Sequence, residues 1–92
     1  MAQASARHIL VDNEEICLEL KKEIENGKPF EDIAKENSLC PSGAEGGALG
    51  TFSPGQMVAE FDKVVFNDAV GVVHGPVKTD FGYHLIEITS RS

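Results

Sequence analysis

Gly75-Pro-Val-Lys-Thr-Asp-Phe-Gly-Tyr-His-Leu-Ile-Glu-Ile-Thr89 is the stretch on which the fold turns. From Tyr83 to Thr89 it alternates as a strand does, with His84, Ile86 and Ile88 on one face and Tyr83, Leu85 and Glu87 on the other. Thr79-Asp-Phe-Gly82 reads as a turn, and Val72, Val73 and Val77 around Gly75-Pro76 as an interrupted or edge strand, because proline removes a ladder donor. The chain therefore closes on a hairpin. At the other end, Ala6 to Val11 is a second strand, with Ala6, His8 and Leu10 on one face and Ile9 and Val11 on the other. Asp12 followed by Glu15 reads as an N-cap with its capping-box partner, opening a helix in which Ile16, Leu20 and Ile24 recur beside Cys17 and Gly27 ends the run. Pro29 suits the first turn of a shorter helix, with Phe30, Ile33 and Ala34 as its apolar stripe, ending near Ser38. A glycine-rich segment then surrounds a brief strand, Ala48 to Phe52, and Met57, Phe61, Val64 and Val65 fall at helical spacing in a third helix running to about Asn67. Helices lodged between non-adjacent strands, with a closing hairpin, specify an α+β fold on an antiparallel sheet.

At 92 residues the chain has the length of one domain, taken as 1–92, with no repeat, linker or low-complexity segment. Hydrophobic content of 41% and charged content of 25% are those of a globular protein. The formal charge of −7 lacks the basic footprint that a duplex nucleic-acid partner requires. No apolar run approaches the ~20 residues of a membrane span, and Met1 to Arg7 has no basic segment followed by an apolar one, as a signal peptide would. Two cysteines, Cys17 and Cys40, are too few for a disulfide scaffold. The expectation is a soluble, reduced, cytoplasmic monomer.

Several chemistries compete for the polar residues. A phosphate-binding loop would put a lysine into the glycine-rich segment, but Gly43 to Gly50 contains Glu45 and no base. A zinc site drawn from Cys17, Cys40, His8 and His84 lacks the paired short spacing such sites use. A cysteine hydrolase would set Cys40 as nucleophile, His84 as base and Asp80 as orienter. No local nucleophile motif accompanies them, and a helix C-terminus raises a thiol pKa. The ordinary reading makes His8 and His84 hydrogen-bonded core residues, Met57 and Phe61 a core stripe, Cys17 a small buried hydrophobe and His74 exposed.

Seven blocks together are more specific than any of these. Arg7-His-Ile-Leu-Val11, Phe30-Glu-Asp-Ile-Ala-Lys35, Ser38-Leu-Cys-Pro-Ser42, Gly46-Gly-Ala-Leu-Gly-Thr-Phe52, Gly55-Gln-Met-Val-Ala-Glu-Phe61, Gly75-Pro-Val-Lys-Thr79 and Phe81-Gly-Tyr-His-Leu-Ile86 resemble, in order, the parvulin family of peptidyl-prolyl cis-trans isomerases. The resemblance runs from about Ala6 to Thr89 and is greatest to the minimal bacterial and archaeal members. It implies an FKBP-like four-stranded antiparallel sheet with about four helices. It also implies that His8 and His84 are paired histidines on neighbouring central strands, with Thr79 hydrogen-bonded beside them. Cys40 takes a cleft position that is Cys or Asp in the family. Leu49, Met57 and Phe61 form the pocket for the substrate proline, and Phe52 and Phe81 are further cleft-wall positions. The implied substrates are proline-containing peptides and unfolded proteins, without cofactor, metal, nucleic acid or membrane. A peptide-holding module without catalysis is the alternative use of the same groove.

Phosphate-directed parvulins carry a basic loop after the first strand. Here Val11-Asp-Asn-Glu-Glu15 holds three acids and no base, which implies an unphosphorylated, apolar residue before the proline. Because Met57 and Phe61 are expected to act through the pocket more than through the core, the sequence also implies that Phe61→Ala shifts melting only modestly.

Overall fold

The computed structural model describes residues 3–57 and 59–91. Its elements are β1 (Ala4–Val11), α1 (Glu14–Glu25), α2 (Phe30–Asn37), a 3₁₀ segment (Pro41–Glu45), β2 (Ala48–Phe52), α3 (Ala59–Asn67), β3 (Val73–Thr79) and β4 (Gly82–Arg91). The four strands form one sheet in the order β2-β1-β4-β3, antiparallel at every pairing. The two long strands read from the sequence, β1 and β4, are therefore central. Beside the expected helices, the fourth helical element is the short 3₁₀ segment.

Strand alternation divides the core into two layers. Ile9, Val11 and Leu85 pack with Cys17 and Leu20 of α1 and with Phe30, Ile33 and Ala34 of α2. Ala4, Ala6, Ile86 and Ile88 project from the other face onto Phe52 of β2 and Phe61 and Val65 of α3. A helix or strand must bury its apolar face against another layer, and this sheet is covered on both sides.

Three local readings change. Asn13, not Asp12, caps α1: its side-chain oxygen accepts from the amides of Glu15 and Ile16 at 2.8 and 3.3 Å. The buried face of α1 is built on Cys17 and Leu20, with Ile24 packed at its edge, while Ile16 is 42% exposed. Met57 precedes α3 rather than belonging to it, and Val58, between them, lies outside the described residues, as do Met1, Ala2 and Ser92. The loop carrying Met57 is held by its own hydrogen bonds. The Ser53 amide donates to Gln56 Oε1 at 2.7 Å, and the Gly55 amide donates to Asp62 Oδ2 at 2.6 Å.

Candidate active site

Sheet register decides which polar side chains meet. On the α3 face His8 lies opposite Ile86 and Leu10 opposite His84, so the two histidines are diagonal neighbours across β1 and β4. Val77 lies opposite His84 and Thr79 opposite Gly82, which brings Thr79 diagonally to His84 from β3. The result is a hydrogen-bonded row: Thr79 Oγ1 is 2.7 Å from His84 Nε2, and His84 Nδ1 is 3.1 Å from His8 Nδ1. The rings stack with centroids 5.3 Å apart, and the Phe61 ring stands edge-on to both, 5.8 Å from His8 and 6.2 Å from His84. The Phe81 amide donates to the Thr79 hydroxyl at 3.2 Å and fixes its end of the row.

Two facing Nδ1 atoms share one proton, so the tautomers are coupled. If His84 carries its proton on Nδ1, His8 carries its own on Nε2; if His84 is protonated on Nε2, His8 is protonated on Nδ1. A second proton on either ring is unfavourable. Burial, and then the neighbouring His84, lower the His8 pKa to about 4, and burial lowers that of His84. Both imidazoles are neutral at pH 7. Below the ordinary histidine pKa of ~6.5 the unfolded chain takes up protons that folded His8 refuses. Stability is thus complete above pH ~6.5 and is expected to fall by roughly 3 kcal/mol on this account as the pH drops toward 4. Urea midpoints measured between pH 8 and pH 4 check this. His8→Asn, an amide at the same position, should flatten the decline.

Above the row lies a cleft of about 370 Å³ with His8 and His84 at its base. Leu49, Met57 and Phe61 line it from the β2–α3 side, Leu39, Cys40 and Pro41 from the exit of α2, and Phe81 from the β3–β4 turn. The α2 exit is sewn to the end of β1. The Leu39 amide donates to the Leu10 carbonyl at 2.8 Å, and Ser38 Oγ accepts from the Leu10 and Cys40 amides at 3.1 and 3.4 Å. Those bonds carry Cys40 into the cleft. Among the described residues no Lys, Arg, Asp or Glu lines it.

The structure thus brings His8, His84, Cys40, Leu49, Met57, Phe61 and Phe81 together around one cleft, with Thr79 bonded behind His84. Phe52 is the exception. It is 4% exposed and packs behind Phe61 and against Phe66, with centroid distances of 6.1 and 5.9 Å, so it backs the wall without lining it. Leu10, Leu39 and Pro41 also line the cleft. Of these, only Leu10 carried a periodic signal, its place on the His8 face of β1, while Leu39 and Pro41 stood inside the Ser38–Ser42 block without a role of their own.

The hydrolase arrangement would turn one ring nitrogen of His84 to Cys40 and the other to Asp80, whereas these nitrogens meet His8 and Thr79. Among the described residues no group of three or more His, Cys, Asp or Glu side chains is placed to hold a metal ion.

Comparison with known proteins agrees with this geometry. The rotamase family model, a PPIC-type PPIase domain, matches residues 6–90. The foldase protein PrsA of Geobacillus kaustophilus is 46% identical over 87 residues, which cover 94% of this chain but 31% of the foldase. The crystal structure of the peptidylprolyl isomerase PrsA from Bacillus anthracis superposes with a TM-score of 0.95 at 36% identity, covering 99% of this chain and 42% of that one. This chain therefore spans about a third of the length of its foldase relatives. The solution structure of NmPin, the parvulin of Nitrosopumilus maritimus, is similar over its whole length: TM-score 0.88, 34% identity, and 98% of both chains covered. A family match across nearly all of its residues, joined to a full-length structural counterpart, places this chain in the parvulin family of peptidyl-prolyl cis-trans isomerases.

Proposed function

We propose that the domain accelerates rotation about X-Pro bonds in unphosphorylated peptide segments and unfolded chains, without covalent chemistry, by holding the proline in an uncharged cleft over two neutral histidines. The observation that carries this is the lining of the cleft: apolar side chains, Cys40 and the histidine pair, with no Lys, Arg, Asp or Glu among the described residues. Rotation about an X-Pro bond faces an uncatalysed barrier of roughly 18–20 kcal/mol. Twisting the amide removes resonance and charge separation, so a dry apolar pocket favours the twisted state over either planar isomer. Leu49, Met57 and Phe61 hold the ring, while Cys40 and the histidine row present polar edges to the swinging carbonyl. An acceleration of about 10⁴ requires roughly 5.5 kcal/mol, within the range of desolvation and one or two oriented hydrogen bonds. A cytoplasmic, monomeric setting, away from nucleic acid and membrane, is part of the proposal.

The charge distribution supports substrates without phosphate. Arg7 lies on the opposite sheet face, over the Phe30 ring and paired with Glu31 and Glu87. Lys78 lies opposite Tyr83, whose ring packs with the α1–α2 layer. Neither reaches the cleft lining. Matched peptides are expected to rank Leu-Pro above Ser-Pro and Ser-Pro above phosphoserine-Pro. The gap between the serine peptides should narrow with salt, as exposed charges are screened. A phosphopeptide turned over faster than its unmodified twin would overturn this part of the proposal. Cys40→Asp, folded normally, is expected to keep substantial activity, since no bond to sulfur is made. Complete inactivity of a folded Cys40→Asp protein would restore the nucleophile.

A further inference from the structure

We propose that a second pocket, adjoining the cleft, accepts a lysine or arginine side chain flanking the substrate proline, with Asp12 as its counter-charge. This inference rests on the isomerase reading above. The pocket, about 180 Å³, is lined by Val11, Asp12, Ile16, Asn37 and Leu39. Leu39 also lines the proline cleft, so the two hollows share a wall. A chain extended at ~3.3 Å per residue passes from one to the other within a few residues of the proline. Ile16 and Leu39, 42% and 61% exposed, are apolar surface suited to the methylene stem of a long side chain.

The polar groups of this pocket select the sign of the ligand. The Asp12 side chain is an exposed carboxylate. The Asn37 NH₂ donates to the Ile33 carbonyl at 3.1 Å, and its acceptor Oδ1 is a further group that can meet a cationic ligand. The α1 N-terminus could otherwise draw an anion. However, the Glu15 and Ile16 amides already donate to Asn13, and Glu14 and Glu15 fill its first turn with negative charge. The C-terminus of α2, at Asn37, adds the carbonyl end of a helix dipole, which favours a cation. Asp12, the acidic first turn of α1 and the C-terminus of α2 each repel an anion or attract a cation. Ile16, turned out of the α1 core stripe, and Leu39, without periodic signal, both find a use here.

The test is a set of proline peptides with Lys, Leu or Glu at each of two positions before and two after the proline, assayed for isomerisation. At one position the kcat/KM for Lys is expected to exceed that for Glu by about five-fold at low salt, the scale of an exposed ion pair added to a repulsion relieved. In Asp12→Asn, which leaves the Asn13 cap in place, that ratio should fall toward one. The lysine peptide should also shift the amide resonances of Asp12, Ile16 and Asn37. A Lys-to-Glu ratio of one at all four positions, a ratio that survives Asp12→Asn, or unmoved resonances would each overturn the subsite while leaving isomerisation intact. Failure to turn over any peptide in the set would instead remove the isomerase reading itself.

Discussion

Phe61→Ala is expected to cost the domain about 3–5 kcal/mol of stability and to lower kcat/KM by roughly 30- to 100-fold. Phe61 is 3% exposed and sits in the core layer between the sheet and α3, in edge contact with Phe52. The same ring lines the cleft and stands edge-on to His8 and His84. Removing it opens a cavity in the core and hydrates the floor of the proline site at once. The sequence had implied a modest melting shift; near-complete burial makes the stability loss large. Phe61→Leu separates the two effects. It keeps most of the buried volume but not the aromatic edge over the histidines, so it should recover most of the stability and only part of the activity. Urea unfolding and an isomerisation assay on both variants check this. A stable Phe61→Ala protein with full activity would remove Phe61 from the site.

Gly47→Ala is expected to damage the fold on a similar scale. A Cβ at residue 47 would run into the His8 carbonyl oxygen, on a backbone with φ of 85°. The His8 amide donates to the Gly47 carbonyl at 2.9 Å, so this contact joins the entry of β2 to the strand that carries the first histidine. Neither backbone can move without breaking the sheet. A loss of at least about 3 kcal/mol is a large share of the ~5–15 kcal/mol that stabilises a typical domain. Gly50 is the control: its φ is 74° but nothing lies within 4 Å of an added Cβ, so Gly50→Ala should cost only ~1–2 kcal/mol for the left-handed backbone. Circular dichroism and urea midpoints of the two variants measure close approach separately from backbone conformation. Equal costs would mean that the His8 contact adds nothing.

Local pattern and family resemblance account for different parts of this architecture. Alternation in β1 and β4 is enough to place His8 with Ala6, and His84 with Ile86, on the face that α3 covers. It does not say that Leu10 rather than His8 lies opposite His84; that depends on long-range register, fixed when both faces find their layers. The resemblance supplied the pairing of His8 and His84, and the structure adds the atoms through which they touch. The place of Leu39 and Pro41 in the cleft was not legible because they lie on the irregular exit of α2, held by hydrogen bonds to Leu10 and Ser38 that carry no periodic signal. Met57 reached the cleft for a different reason than helical spacing implied: it stands on the loop tied down by Gln56 and Asp62. Phe52 closes β2 by turning into the core, where aromatic edges from Phe61 and Phe66 receive it.

The central claim is that the uncharged cleft above the His8–His84 pair lowers the barrier to X-Pro rotation and does not merely hold the chain. Exchange spectroscopy on a Leu-Pro peptide, with catalytic amounts of the protein and no coupled protease, measures that rotation directly. The expected result is cis–trans exchange peaks that strengthen in proportion to protein concentration, accompanied by shifts confined to residues around the cleft such as Leu49, Met57 and Phe81. Saturable shifts at those residues, with the cis–trans exchange rate unchanged from the free peptide, would contradict the account and leave a binding groove without catalysis.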